Sequence, residues 1–305
     1  MSALPSFRPQ SEQPTAPRRH SSSAIVNAMS IDVEDYFQVQ ALANLFDRDV
    51  WSAQECRVER NVEAILDMLS QADQKATFFT LGWIAERYPA MIRRIVSQGH
   101  ELASHGMAHF RADSQTPPEF RDDVSRTKRL LEDTGGVEVI GYRAASFSIG
   151  ARNLWAHNEL AEAGYRYSSS IYPIRHDLYG MPDAPRFTYQ PQGLGGFVEI
   201  PVTTIRLFGQ NLPCGGGGYF RLLPYSVSRW QMRRVNEVDG RSCMFYFHPW
   251  EIDPDQPRQT QISSKTRFRH YTNLTRMAGR LRRLLDDFQW DRMDRVFLAP
   301  GAPVS

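Results

Sequence analysis

The sequence predicts an α/β fold, a parallel sheet that curls into a closed or nearly closed (β/α) barrel with long loops and an amphipathic C-terminal helix. Three observations predict it. Short apolar runs alternate with segments of helical periodicity along most of the chain. Several of those runs end in ionisable residues, as strands do at the catalytic rim of a barrel. The 305 residues suit one barrel with extensions, since such barrels run to roughly 200–250 residues as a single domain.

The elements follow in order. Ile25–Val33 reads as a first strand that ends in acidic residues. Val58, Val62, Ile65, Leu66 and Leu69 keep helical spacing, and Ala76–Leu81 is a second strand. The next helix carries Ile84, Met91 and Ile95, and Gly99 closes it. His100–Ala103 is a short strand leading into Ser-His-Gly-Met-Ala-His. Thr116-Pro117-Pro118-Glu119 is a capping box with proline at the first helical position. The helix it opens shows Phe120, Val124, Leu130 and Leu131 on one face and stops at Gly135-Gly136. Val137–Tyr142 is a strand, 151–163 a helix and Tyr165–Ser169 another short strand. Residues 172–196, rich in Pro, Gly and Asp, read as a long ordered loop. Helix 226–238 and strand Ser242–Phe247 restore the alternation, and 249–268 is polar and irregular. Leu274, Met277, Leu281, Leu284, Leu285 and Phe288 define the amphipathic helix. The domain reading is a disordered tail at 1–23, a barrel at 24–250 and an extension at 251–305 packing on it.

Composition excludes several classes. The chain is 41% hydrophobic and 23% charged with net charge +2, too balanced to point to nucleic acid. Cys56, Cys214 and Cys243 are odd in number and widely spaced, which suits reduced thiols better than a disulfide framework. No apolar run approaches the ~20 residues of a bilayer span. The proline-rich first 23 residues carry no apolar secretory core, and nothing hydrophobic follows Arg18-Arg19, so the expected location is the cytoplasm. Seven basic residues between 265 and 285 read as the solvent face of the C-terminal helix, with a peripheral membrane or anionic-glycan patch as the alternative.

Four strand ends carry chemistry: Asp32-Val-Glu34-Asp35, His105-x-x-x-His109, Arg143 and His248. Two histidines four apart project from one face if helical, and can grip one cation. Each feature alone has a plain structural reading, as a solvated turn, a surface pair, an ion-pair partner or a core histidine. Their joint placement at strand ends favours a site. The run Gly215–Gly218 lacks a following Gly-Lys-Ser/Thr, so it reads as a flexible loop or tight bend rather than a phosphate cradle. His100 and His176 read as packing or loop hydrogen bonds. Phe147, Tyr172, Tyr219 and Trp250 are candidate sugar platforms, and Tyr36 a further substrate contact.

In order, these motifs resemble those of the NodB-type polysaccharide deacetylases (carbohydrate esterase family 4). IDVEDYFQVQAL, GHELASHGMAHF, GYRAASFSIG, YPIRHDLYGMPDAPRF, GGGGYF, FYFHPWEIDPDQPR and RFRHYTNLTRM extend the likeness to the branch encoded beside exosortase/PEP-CTERM exopolysaccharide loci, with a DUF3473-like C-terminal region. The resemblance spans roughly residues 26–298 and implies a distorted seven-stranded barrel. It implies metal-dependent removal of N-acetyl groups from amino sugars of a glycan or its precursor. It makes Asp32 the general base, His105 and His109 metal ligands, Arg143 the residue that orients the base and His248 the general acid. The third ligand is Glu34 or Asp35; strand alternation favours Glu34. The metal is expected to be Zn²⁺, with Co²⁺, Mn²⁺ or Fe²⁺ acceptable to the same ligands. The partner is an N-acetylated glycan, with peripheral association with exopolysaccharide machinery.

Two positions depart from the family pattern: Ala145 stands where a proline is common, and Ser168 where an aspartate often precedes the serine pair. Reduced activity or another acid partner for His248 is expected. The rival functions are a small-amide hydrolase on the same barrel and a non-catalytic carbohydrate-binding component.

Overall fold

The structure is a computed structural model describing residues 25–303; the tail expected at 1–23 lies outside the described residues. Strands β1 (Val26–Val33), β2 (Thr77–Thr80), β3 (Glu101–Ser104), β4 (Gly141–Tyr142), β5 (Tyr167–Ser168) and β6 (Val198–Glu199) pair in chain order, all parallel. Between them run helices α1 (Val58–Gln71), α2 (Gly82–Arg87), α3 (Pro89–Ser97), α4 (Pro117–Gly135) and α5 (Ala156–Glu162). A detached antiparallel hairpin, β7 (Thr204–Leu207) and β8 (Gln210–Pro213), is followed by α6 (Gly217–Leu222) and α7 (Tyr225–Glu237). Strand β9 (Met244–Phe247) then lies parallel to β1 on the edge opposite β2.

Seven strands, β9-β1-β2-β3-β4-β5-β6, thus form a curled half-barrel. Between β6 and β9 the chain itself fills the gap: Gly216 bridges Tyr246, and the Met244 N–H donates to Thr203 Oγ1 at 2.7 Å. Helices α8 (Ser264–Tyr271), α9 (Leu274–Asp287) and α10 (Met293–Phe297) complete the chain, and β10 (Gln289–Asp291) lies between the last two. It adds an eighth strand along Val26–Ala28, just before β2 takes over that edge of β1 at Ser30.

Strand β1 is buried at seven of its eight positions, which is why its sequence runs apolar without strict alternation. Its polar members are satisfied inside: Asn27 Oδ1 accepts from the Cys243 N–H at 2.7 Å, and Ser30 Oγ donates to the Phe245 carbonyl at 3.0 Å. Helix α4 carries the expected capping box between Thr116 and Glu119 and ends on Gly136 in a left-handed conformation, φ 67°. Helix α9 buries Leu274, Met277, Leu281, Leu284 and Leu285 as its periodicity predicts.

Differences from the sequence reading concern short or weakly patterned segments. The strand expected at Val137–Tyr142 shrinks to Gly141-Tyr142, and the helix expected at 151–163 begins only at Ala156. Helix α8 lies inside the segment read as irregular; its sequence SKTRFRHY has no apolar stripe, and only His270 and Tyr271 are buried. Hairpin β7–β8 and the three-residue β10 were not anticipated. The loop at 172–196 is borne out, with a single bridge from Tyr189 to Glu199.

Candidate active site and metal centre

The chemistry-bearing residues follow the ends of β1, β3, β4 and β9, which all lie at the same edge of the parallel sheet. His105 leaves β3 with its N–H on the Thr80 carbonyl (3.0 Å) and its Nδ1 2.8 Å from the Arg143 carbonyl. A carbonyl only accepts, so Nδ1 carries the proton and Nε2 keeps its lone pair for a ligand. Burial pulls His105 down to about 4, so the ring is neutral near pH 7.

His109 does not arrive by a helical turn, as the four-residue spacing had suggested. Residues 105–109 form an irregular turn with Gly106 at φ 77° and His109 at φ 54°. A non-glycine residue in the left-handed region costs about 1–3 kcal/mol and persists only where its surroundings over-determine it. Here Arg48 holds the turn, donating to the carbonyls of Ala108 (2.6 Å) and His109 (2.9 Å).

Glu34, His105 and His109 bring one ligand atom each to within 4.8 Å of one another, all three residues buried. Glu34 Oε2 lies 3.0 Å from His109 Nε2, yet the pair is not aligned as a hydrogen bond and Oε2 remains buried without a donor. Burial alone would raise the Glu34 carboxyl, but His109, His248 and His105 hold it at about 2. An orphaned carboxylate oxygen beside two imidazoles is the donor set of a divalent cation with positions left open.

The structure separates the two candidate acids. Asp35 Oδ2 accepts from the N–H groups of Arg57 (2.5 Å) and Val58 (2.8 Å), and Oδ1 from that of Tyr36 (2.8 Å). It caps the start of α1 and turns away from the histidines. Burial pushes its carboxyl up to about 6 against those three donors. Strand β1 ends at Val33, so Glu34 reaches the cluster from a turn in which its N–H donates to the Asp32 carbonyl (3.0 Å), not by strand alternation.

Asp32 Oδ1 is 2.5 Å from Arg143 Nη1. The guanidinium is fully buried, bonds Ser30 Oγ (3.0 Å) and the Ser169 carbonyl (3.1 Å), and lies 4.0 Å over the Phe79 ring. His248 faces the cluster from β9, with Nε2 3.4 Å from Glu34 Oε1 and 3.9 Å from Asp32 Oδ2. Its Nδ1 meets Glu251 Oε1 at 2.8 Å. Burial works against its charge, but the Glu251 hydrogen bond and the charges of Glu34, Glu251 and Asp32 outweigh it and hold His248 at about 9.

Glu251 and its partner Arg221 (Nε to Oε2, 2.6 Å) were not singled out from sequence. The signal was present as His248-Pro-Trp-Glu251, a capping-box spacing with histidine in the cap. Ser168 bonds Ser170 (Oγ to Oγ, 2.8 Å), so the acid beside His248 comes from three residues downstream instead.

The aromatic platforms are corrected by burial. Tyr172 is wholly buried, and Tyr36, Phe147 and Trp250 expose 2%, 5% and 7%, so none presents an open face to a sugar. Phe147 packs on Tyr172 and Tyr246, while Trp250 stacks between His248 and His270. A cleft of about 620 Å³ reaches Tyr246, beside His248, and is walled by half-exposed Tyr179 and Tyr219 with Phe268, Lys265 and Arg269 of α8. His100 accepts from the Ala76 N–H (3.2 Å) and His176 from that of Leu178 (3.2 Å), and His176 also lines the cleft.

Residues 40–168 match the family described as polysaccharide deacetylase, and 169–298 match a domain of unknown function, DUF3473. The boundary falls at the end of β5, inside the sheet. A peptidoglycan-N-acetylglucosamine deacetylase of Bacillus cereus is 36% identical over 72 residues, 24% of this chain and 26% of that protein. A chitooligosaccharide deacetylase of Bradyrhizobium is 32% identical over 100 residues, 33% of this chain and 45% of that protein. The chain thus spans less than half the length of these curated relatives. A solved Mycobacterium smegmatis protein assigned to the polysaccharide deacetylases shares the fold, with TM-score 0.58, 19% identity and 93% of each chain covered. Residues 40–168 are thus a polysaccharide deacetylase domain followed by a DUF3473 domain at 169–298, and the ordered strand-end motifs are similar to those of the NodB-type deacetylases of carbohydrate esterase family 4.

Proposed function

We propose that this protein hydrolyses N-acetyl groups from amino-sugar residues of a polysaccharide or its precursor, using a divalent metal. One observation carries the reading: two imidazoles and an orphaned carboxylate oxygen converge within 4.8 Å, directly beside an arginine-held aspartate and a third histidine. His105, His109 and Glu34 would hold the ion, and zinc suits two imidazoles and one carboxylate, with Co²⁺, Mn²⁺ or Fe²⁺ following availability. When bound, such an ion acidifies water and polarises a carbonyl.

The chain's own residues supply the rest. Asp32 takes the proton of the attacking water as general base, with Arg143 fixing its carboxylate from a wholly buried position. His248 presents Nε2 toward Asp32 and Glu34 and donates a proton to the departing nitrogen. The cleft of about 620 Å³ walled by Tyr179, Tyr219 and Tyr246 beside the site offers room for the neighbouring units of an extended glycan, a space a small amide would not use. The relatives' names, peptidoglycan-N-acetylglucosamine and chitooligosaccharide deacetylase, support N-acetylated sugars as the substrate class. The motifs that resemble the PEP-CTERM-locus branch favour a place in exopolysaccharide synthesis, acting in the cytoplasm or peripherally at the membrane on a precursor. No helix among the described residues is long and apolar enough to cross a membrane.

Acetate release from N-acetylated oligosaccharides, with chelator and with added metal, tests the reading. Metal-dependent release is expected. A chain that binds these glycans without releasing acetate under any metal would instead be a carbohydrate-binding component.

A further inference from the structure

We infer that Glu251, clamped by Arg221, is the positioning residue that orients the His248 ring for proton delivery. This rests on the hydrolase reading above. Glu251 is 1% exposed and Arg221 2%. Glu251 Oε1 lies 2.8 Å from His248 Nδ1 and accepts the His248 backbone N–H at 3.1 Å. Its Oε2 accepts from Arg221 Nε at 2.6 Å. Arg221 is itself fixed by the end of α8, donating to the carbonyls of Arg269 (3.1 Å), His270 (3.0 Å) and Thr272 (2.6 Å). The carboxylate is therefore held at both oxygens and its cation at every nitrogen.

Space for that carboxylate is made by a glycine. A Cβ on Gly217 would stand 2.4 Å from Glu251 Oε1, and one on Gly216 2.9 Å from the Tyr246 ring. Gly215, Gly216 and Gly217 are thus close-packed against β9 and Glu251, while Gly218 faces open space. Gly217 and the end of α8 meet on the Arg221–Glu251 pair, the glycine against Glu251 and the helix end against Arg221.

The consequence for His248 is chemical. A carboxylate accepts and does not donate, so Nδ1 is committed to carrying its proton toward Glu251. Nε2 is then the nitrogen facing Asp32 and Glu34, where the leaving nitrogen arrives and takes the proton as its C–N bond breaks. Trp250 stacks on the His248 ring (5.2 Å, 22°) with His270 behind it (4.3 Å, 12°), which limits tilting. The DUF3473 half thereby sets the geometry of a histidine that the sequence alone presents as isolated.

The test compares leaving groups in the full-length, metal-loaded enzyme. An N-acetylated chitooligosaccharide loses an amine that needs a proton, whereas 4-nitrophenyl acetate loses a phenolate that departs without one. Glu251→Ala is expected to lower kcat on the amide by about 10²-fold, the lower end of what general acid catalysis contributes. KM should stay within about 2-fold, and the ester rate should fall by no more than about 3-fold, as for a transition-state interaction confined to the amide. Glu251→Gln, whose carbonyl still accepts from Nδ1, should recover part of the amide rate. Should the alanine variant not fold, the glutamine variant carries the same comparison, with about a 10-fold loss on the amide alone. Equal losses on both substrates, or none on either, overturn the positioning role. A wild-type enzyme that releases no acetate from the oligosaccharide sinks the hydrolase reading instead, and this role with it.

Discussion

Glu34 and Asp35 are neighbours in sequence with opposite structural assignments, and substituting each in turn should separate metal binding from stability. Asp35 accepts three N–H groups, two of them at the start of α1, and is wholly buried. Loss of a helix-capping acceptor costs about 0.5–2 kcal/mol, and each buried donor left unpaired about 1–3 kcal/mol before relaxation. Asp35→Ala should therefore lose about 3–5 kcal/mol, a large part of the 5–15 kcal/mol that holds a typical domain. Asp35→Asn keeps one acceptor and should lose roughly half as much. Both should still bind metal stoichiometrically when folded. Glu34→Gln should do the reverse. Its Oε2 has no hydrogen-bond donor to lose, so urea unfolding of the metal-free protein should lose only the attraction between the carboxylate and His109 and His248, while metal affinity should fall by more than the ~10–100-fold typical of an outer-shell partner. Urea titrations in chelator, paired with metal content after dialysis, read both quantities. An Asp35→Asn protein of wild-type stability that has lost its metal would reverse the assignment and refute the geometry on which it rests.

The remaining predictions concern the same cluster. Asp32→Asn should keep its metal and lose about 10²–10⁴ in turnover on N-acetyl substrates; wild-type turnover would remove it as the base. His105→Ala should lose stoichiometric metal in the same dialysis assay, and retained metal would exclude it. Arg143→Met leaves Asp32 buried without its cation and should destabilise by about 3–5 kcal/mol, with the double variant Asp32→Asn/Arg143→Met less destabilised than the sum. In the metal-free protein, His248 should titrate near 9 by NMR, well above a free histidine. A folded-state value above the unfolded one means the His248 contribution to stability is complete below about pH 6.5 and is lost as pH rises through 9. His248→Gln should flatten that slope, and an unchanged slope would show that another group causes it.

The half-barrel was legible because a parallel sheet advertises itself locally. Apolar runs such as Ala76–Leu81 and Ser242–Phe247 are nearly all buried, and the capping box at Thr116 fixes where α4 begins. Elements of two or three residues, such as β4 and β10, are too short for periodicity to register. Helix α8 has no apolar face, and its contact with Arg221 runs through backbone carbonyls at its C-terminal end, which leave no mark in the side-chain pattern.

The site divides in the same way. The sequence by itself brought forward Asp32, the Glu34/Asp35 pair, His105, His109, Arg143 and His248 as candidates, because each lies at or just beyond a strand end, and parallel pairing carries such ends to one edge. It left Glu34 and Asp35 unresolved, since two adjacent acids differ only in which distant donors they meet. Tertiary structure alone decided that the N–H groups of α1 take Asp35, that the candidate sugar platforms Phe147, Tyr172 and Trp250 and the candidate substrate contact Tyr36 are buried, and that Glu251 faces His248. The physical reason is that burial and hydrogen-bond pairing are properties of contacts between remote segments, on which local pattern carries no information.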